Sequence, residues 1–461
     1  MASFVDRTAE LDRLTTCYPS PDRQLAIVYG RRRLGKTELV KQSLTEQSDA
    51  VVYQGRQTTQ ALQLAQFVDR AAAVYPGIED IRAAWEPLFR YLIDADAIVV
   101  LDEFPYLVEQ DASLPSVLQA LLDYEMDDSA ATFVLIGSSI SMMEEAALLG
   151  DSPLYGRASV KLDIGPLPFS AAMSMLDHSF APDEQILLWG IFGGTPYYLE
   201  EIAGASTVGE AVTDALLFTH APLHDDPDYV LRMELTEPTR YFAILEAIAG
   251  GAVVRNEIAQ ATGIDANQLS KYLSRLERLR IIERHVPITE QKPRSRRGRY
   301  RLLDPLFRFW FRFIYGSGSR YDDLGAEAFG AVIEPELPDF VSPAFERLCQ
   351  RALRSLYPDE TITDVGQWWY QDHEVDVVGL TTGSTLIAGE CKFQTSPVGY
   401  DTLATLEGHV EELRWSPTDG SERTCDYALF SRSGFTDAVE AAREDRADLR
   451  LFDCADVVDA L

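Results

Sequence analysis

Gly30, Gly35, Lys36 and Thr37 stand in the spacing G-x-x-x-x-G-K-T. A bound polyphosphate needs backbone N–H groups converging on it, and glycines keep such a loop clear of side-chain bulk. The nucleotide-binding stretch therefore reads as Gly30, Arg31, Arg32, Arg33, Leu34 and Gly35, with Lys36, Thr37 and Glu38 opening the helix that follows. Lys36 would reach the β- and γ-phosphates and Thr37 would offer its hydroxyl to Mg²⁺. Further on, Asp102 and Glu103 form a carboxylate pair. Asp102 would hold the same Mg²⁺, and Glu103, the expected catalytic base, would polarise an attacking water. ATP with Mg²⁺ is the ligand this set implies.

The surrounding sequence supplies the elements that must position these groups. Leu25–Tyr29 is an apolar run that reads as a buried strand, and residues 36–44 have helical spacing, so the glycine loop falls where strand turns into helix. Residues 51–53 read as a second strand, 59–91 as mainly helical, and 97–101 as a buried strand that ends at the acid pair. Another strand over 132–137 ends in Ser138 and Ser139; either hydroxyl would sense a γ-phosphate, or the serines simply terminate the strand. A last strand covers 160–164, with Arg157 just before it, and residues 169–230 turn helical.

From Thr239 the pattern becomes three short helices, 241–249, 255–262 and 266–279, with Asp265 as an N-cap before the third. This is helix-turn-helix spacing. The third helix buries Leu269, Leu273 and Leu276 and turns Asn267, Gln268, Ser270, Lys271 and Arg275 outward, where they suit base edges or phosphates. Strands over 281–284 and 300–302 would form a wing whose tip carries Lys292, Arg294, Arg296, Arg297 and Arg299 without an acid. Residues 255–301 are thus the expected DNA surface, a protein-docking role being the other use of such a module. The apolar block 306–314 reads as core or interdomain packing, not a base-stacking platform. Residues 316–338 read as a linker and 339–461 as a further α/β domain.

The chain has 73 acidic against 41 basic residues and a net charge of -32. Lysine occurs only at positions 36, 41, 161, 271, 292 and 392. Such composition resembles proteins of halophilic archaea, in whose concentrated cytoplasm the Debye length falls to about 3 Å. Five scattered cysteines indicate neither a disulfide framework nor zinc. No apolar run approaches the ~20 residues of a membrane span. A cytoplasmic protein with no membrane partner is expected.

Several motifs together carry a family resemblance: the glycine loop, the LDEF strand over 101–104, PLYGR over 153–157 and GGTPYYL over 193–199. The chain resembles the archaeal ATPases, AAA-related and close to the signal-transducing STAND group. The resemblance implies that Arg157 is an arginine finger, acting in cis or across a homo-oligomer, and that Pro196 lies in a helical lid near the nucleotide. It also places the lead-in Phe4-x-x-Arg7-x-x-Glu10-Leu11 over the adenine. The C-terminal region resembles the PD-(D/E)XK nuclease fold found fused to these ATPases. That implies Asp376 and Glu390 as ligands of Mg²⁺ or Mn²⁺, Glu346 in support, and Lys392 positioning water or charge. Strand alternation fits this, since Glu390 and Lys392 fall on one face beside Asp376. Val375 stands where that motif often has proline. The expected fold is α/β: a P-loop core (1–168), a helical lid (169–235), a winged helix (236–315), the linker and the nuclease-like domain. Two functions fit these parts, an ATP-dependent enzyme that binds and cleaves DNA, and a nucleotide-gated DNA-binding regulator whose last domain does not cut.

Overall fold

The structure is a computed structural model describing residues 4–18, 24–126, 129–235, 237–290, 295–417 and 420–461. It divides into two compact units, residues 1–167 with 195–197, and 168–194 with 198–461.

The first unit is built on a five-stranded parallel sheet: β1 (Gln24–Tyr29), β2 (Ala50–Gln54), β3 (Ile98–Asp102), β4 (Thr132–Gly137) and β5 (Val160–Asp163), in the order β2-β3-β4-β1-β5. Helices cover both faces, so the strands are apolar throughout instead of alternating. Alternate residues of β1 feed opposite cores: Leu25 and Ile27 join one with Phe67, Phe89 and Phe133, whereas Ala26 and Val28 join the other with Leu14, Leu39 and Ile136. The registers Ala26↔Val134 and Val100↔Val134 bring the ends of β1, β4 and β3 to one edge of the sheet. That edge carries the glycine loop, Ser138 and the Asp102–Glu103 pair.

The second unit is organised around the helix Pro182–Phe192, in which every residue from Ile186 to Phe192 is buried. It packs on the long helix Leu337–Leu356, and Gly190 permits the approach, since a Cβ there would come within 2.9 Å of Val341. The aromatic block beginning at Leu306 is core as expected: Phe307, Phe309, Trp310 and Phe311 are buried, with Phe309 against Phe340 and Phe311 against Phe242. Helices Pro238–Ala249, Arg255–Thr262 and Ala266–Arg278 precede a hairpin of β6 (Ile282–His285) and β7 (Arg299–Leu302). Asp265 caps the third helix, accepting from the Asn267 N–H at 2.8 Å. Leu269, Leu273 and Leu276 are buried, while Asn267, Gln268 and Lys271 are exposed.

Residues 316–338 are not an irregular connection. Short helical turns over Arg320–Leu324, Gly325–Glu327, Phe329–Ile333 and Glu334–Glu336 lead into the long helix, and Tyr321 and Ile333 are fully buried. Beyond it lies a second sheet, β8 (Ile362–Tyr370), β9 (His373–Thr381), β10 (Thr385–Lys392), β11 (Thr424–Ser431) and β12 (Leu449–Asp453), in the order β12-β11-β10-β9-β8. The first three strands are antiparallel, and β10, β11 and β12 run parallel through helical crossovers. No described helix is long and apolar enough to cross a membrane.

Candidate functional site

The glycine loop follows β1 directly. Gly30 has φ 146° beside β5, and a Cβ there would overlap the Ile164 carbonyl oxygen. Gly35 and Arg33 both take positive φ, at 76° and 71°. Lys36 is buried and donates to the Arg31 carbonyl at 2.7 Å, lying back along the loop it would leave to meet a phosphate. Thr37 donates its hydroxyl to Asp102 Oδ2 at 2.8 Å. Burial pushes the Asp102 carboxyl above its usual range, the Thr37 bond opposing and the Glu103 charge adding. A hydroxyl bonded to a buried carboxylate, with a second carboxylate beside it, is the donor chemistry that suits Mg²⁺.

Glu103 leaves β3 in a left-handed conformation, φ 50°, which costs a non-glycine residue on the order of 1 kcal/mol or more. This turn places its carboxylate 3.4 Å from the Ser138 N–H and 3.8 Å from Arg32, whose guanidinium also donates to Tyr106 at 2.6 Å. Of the two serines, Ser139 caps the following helix and contacts Ser141, so its hydroxyl is engaged in holding the backbone. Ser138 meets Glu103 through its backbone N–H.

Pro196 packs against the loop, its Cγ 3.8 Å from the position of a Gly35 Cβ. Tyr197 lies under the Arg33 guanidinium, 4.0 Å from ring centre to cation. Arg7, read from sequence as part of an adenine-covering helix, also ties the loop to the exit of β5, donating to Leu34 O at 2.8 Å and to Gly165 O at 2.9 Å. Neither contact was foreseeable, because the acceptors are backbone carbonyls that any sequence would provide.

Arg157 is placed differently from one of its two expected arrangements. It forms a bidentate pair with Asp123, Nη2 to Oδ2 at 2.7 Å, and donates to Pro153 O. It stands before β5, at the opposite end of that strand from the glycine loop, since Ser159 bonds Leu25 while Ile164 bonds Tyr29. The strand between spans about 13 Å. Arg157 therefore does not face its own chain's loop.

In the second unit, Glu346, Asp376, Glu390 and Lys392 come together where β9 and β10 meet the long helix. Asp376 accepts from the Cys391 N–H at 3.0 Å, and Lys392 donates to Glu390 Oε1 at 2.7 Å. Burial, with Glu346 and Glu390 nearby, holds the Asp376 carboxyl well above its usual range. Burial, Glu374 and Glu390 raise Glu346 to about 7. Against burial, which opposes it, Glu390 raises the Lys392 ammonium. The carboxylates thus repel one another in a poorly solvated site, a cost that a divalent cation would relieve. Glu346, however, accepts from Gln367 Nε2 at 2.7 Å, and among the described residues no three acid, histidine or cysteine side chains converge on a common metal position. Asp376 and Glu390 stand on adjacent strands, Glu390 paired with Lys392 and Glu346 held to one side by Gln367.

The basic hairpin differs from its sequence reading. Lys292 and Arg294 lie outside the described residues. Arg297 ion-pairs with Glu290 and donates to Trp369 O at 3.0 Å, and Arg299 pairs with Glu374 at 2.6 Å while stacking over Trp369. The acids missing from the tip's own sequence are supplied by residue 290 and by β9, so of the described tip arginines Arg296 is the exposed one. His373 packs edge-on to His409, whose Nδ1 donates to Glu374 O at 2.6 Å.

Residues 4–202 match a family described as an ATPase domain predominantly from Archaea, and residues 310–402 match one described as archaeal and bacterial proteins of unknown function. An uncharacterized protein of Methanocaldococcus jannaschii is 31% identical over 381 residues, covering 82% of this chain and 84% of that one. Among solved structures, a Walker-type ATPase of Pyrococcus abyssi is similar over 67% of this chain and 96% of its own, at 18% identity and a TM-score of 0.49. The Aeropyrum pernix ORC2 protein is similar over 65% and 90%, at 15% identity and a TM-score of 0.42. With its glycine loop, its Thr37–Asp102 pair and a relative that matches most of its length, the chain belongs to the archaeal ATPase family.

Proposed function

We propose that this protein is an ATP-driven DNA-processing enzyme, in which the nucleotide state of the P-loop unit licenses a metal-dependent nuclease site at Asp376, Glu390 and Lys392. The observation that carries the reading is the meeting of those three side chains, from two adjacent strands, in a site poor in solvent. In the first unit the loop amides from Gly30 to Thr37 bind the β- and γ-phosphates. Lys36 exchanges the Arg31 carbonyl for phosphate oxygen, and Glu103 takes the proton of the attacking water. Thr37 and Asp102 would hold Mg²⁺, which supplies charge neutralisation at the phosphates when bound. Ser138 keeps Glu103 oriented, and Arg157, turned from its own loop, would complete the site of a neighbouring copy.

In the second unit Asp376 and Glu390 would hold Mg²⁺ or Mn²⁺, which supplies Lewis acidity at a phosphodiester. Lys392 keeps its proton beside Glu390 and is placed to meet charge developing on the scissile phosphate. A winged helix formed by residues 238–302 would present Asn267, Gln268 and Lys271 to DNA. One observation favours the second reading, a nucleotide-gated regulator that binds DNA without cutting: Gln367 holds Glu346 and Lys392 neutralises Glu390, so the acids are not gathered about one point. Labelled single- and double-stranded DNA incubated at molar KCl with Mg²⁺ or Mn²⁺, with and without ATP, separates the two. Cleavage by the parent protein that Asp376→Ala abolishes supports the enzyme, and its dependence on ATP supports coupling. DNA bound but uncut by both proteins would leave the regulator.

A further inference from the structure

The long helix that supplies Glu346 to the carboxylate site carries a second set of residues on its neighbouring face. Arg347, Arg351 and Arg354 follow at i, i+4 and i+7, one stripe of an α-helix. They line a cavity of about 350 Å³ together with Arg301 from the end of β7, Glu283 from β6 and Gln350. Four guanidiniums thus surround one carboxylate, a local excess of three positive charges in a chain whose net charge is -32.

These arginines are unequally satisfied. Arg301 ion-pairs with Glu283, and Arg354 donates to Ile362 O at 3.3 Å and Thr363 O at 3.1 Å. Among the described residues, Arg347 and Arg351 have no hydrogen bond or ion pair; Arg351 meets only the face of Trp189, at 5.7 Å. Burial, followed by Arg301 and Arg308, pulls the Arg347 guanidinium down to about 9. Arg347 is half-buried and Arg351 exposed, and a half-buried guanidinium set among other cations gains from an anion that meets it. Planar guanidiniums on adjacent helical turns suit the tetrahedral oxygens of phosphate, which accept bidentate, charge-assisted bonds. The volume is in the range of a small-ligand site.

We propose that this cavity is a phosphate-binding site, with Arg347 and Arg351 as its primary donors, Arg301 and Arg354 at its sides, and Glu283 limiting its affinity. The phosphate is either a free ion or a phosphodiester of a nucleic-acid strand. Gln350 links the cavity to the carboxylate site, since its amide donates to Asp376 O at 2.7 Å. The inference is independent of whether those carboxylates cut.

The test uses the full chain carrying Lys36→Ala, so that phosphate at the glycine loop contributes little, at constant ionic strength set with KCl. Inorganic phosphate is titrated by phosphorus NMR, and a fluorescein-labelled thymidine pentanucleotide without terminal phosphate by anisotropy. Arg347→Gln and Arg351→Gln should each weaken binding about tenfold, the loss expected for one charge-assisted bond. Glu283→Gln should strengthen it several-fold, an outcome that damage to the fold cannot imitate. Should Arg347→Gln fail to fold, Arg351→Gln at the exposed mouth and Glu283→Gln still decide. A response to inorganic phosphate alone assigns the site to a free anion, and a response to the strand assigns it to a phosphodiester. Affinities within twofold of the parent for all three variants, with both probes, would overturn the proposal.

Discussion

His285 ends β6 with its ring edge on Trp369, 5.2 Å between ring centres, and its Nδ1 is buried without a hydrogen-bond partner among the described residues. The charged groups around it are Arg301, Arg299, Arg347 and Glu283. Burial, then Arg301, lowers its pKa to about 3, the single acid failing to compensate. The folded protein therefore holds this ring neutral where the unfolded chain, with a histidine pKa of about 6.5, takes up a proton. Since the unfolded state binds more protons below about pH 6.5, stability must fall as pH falls through that value and keep falling towards the folded pKa. From about pH 7.5 to about pH 5.5 the loss is RT ln 11 less RT ln 1.1, about 1.4 kcal/mol, and it hardly changes if the folded pKa is a unit higher. His285→Phe keeps an aromatic edge against Trp369 and removes the titration. Urea unfolding followed by tryptophan fluorescence at both pH values should show the parent losing about 1.4 kcal/mol more than the variant. Glu346, raised to about 7, pulls the parent the other way, but it is common to both proteins and cancels. If parent and variant lose stability in parallel, His285 is not held neutral and the packing argument for the hairpin fails.

Gly30→Ala should destabilise the first unit by roughly 3 kcal/mol or more, combining a backbone conformation reserved for glycine with overlap at the Ile164 carbonyl, and thermal unfolding with and without ATP would detect it. Glu103→Gln should retain ATP binding while lowering turnover by about 10²–10⁴, whereas Thr37→Ala should weaken binding only when Mg²⁺ is present; equal binding loss in both would contradict the assigned roles. Arg157→Ala should leave ATP affinity unchanged at high dilution, and should lower turnover only under conditions where the parent's turnover rises with protein concentration.

What the sequence made legible was local chemistry. The glycine loop, the strand ending in Asp102–Glu103, the Asp265 cap and the buried leucines of the third helix all rest on residues a few positions apart, and each lies where its spacing requires. The carboxylates of the second unit were legible as strand alternation, which sets Glu390 beside Lys392. Contacts across long separations were not. Nothing near Arg299 in sequence announces Glu374, 75 positions away, and nothing near Arg7 announces Gly165. The helical turns over 320–336 are too short to show a period, so their Gly, Asp and Glu content read as a linker.

The hairpin shows how such contacts change a functional argument. A cluster of arginines without a neighbouring acid reads as a surface for nucleic acid, and in a chain of net -32 it stands out. Once folded, Arg297 and Arg299 direct their charge to Glu290, Glu374 and the faces of Tyr370 and Trp369. Among the described residues, Arg347 and Arg351 on the long helix carry positive charge without a protein hydrogen bond or ion pair. A basic residue therefore marks a ligand surface only after its own chain's acceptors have been counted. By that measure the arginine cavity beside the carboxylates has a stronger claim to phosphate than the described part of the hairpin tip, and weaker binding in Arg351→Gln with tighter binding in Glu283→Gln is the outcome that bears it out.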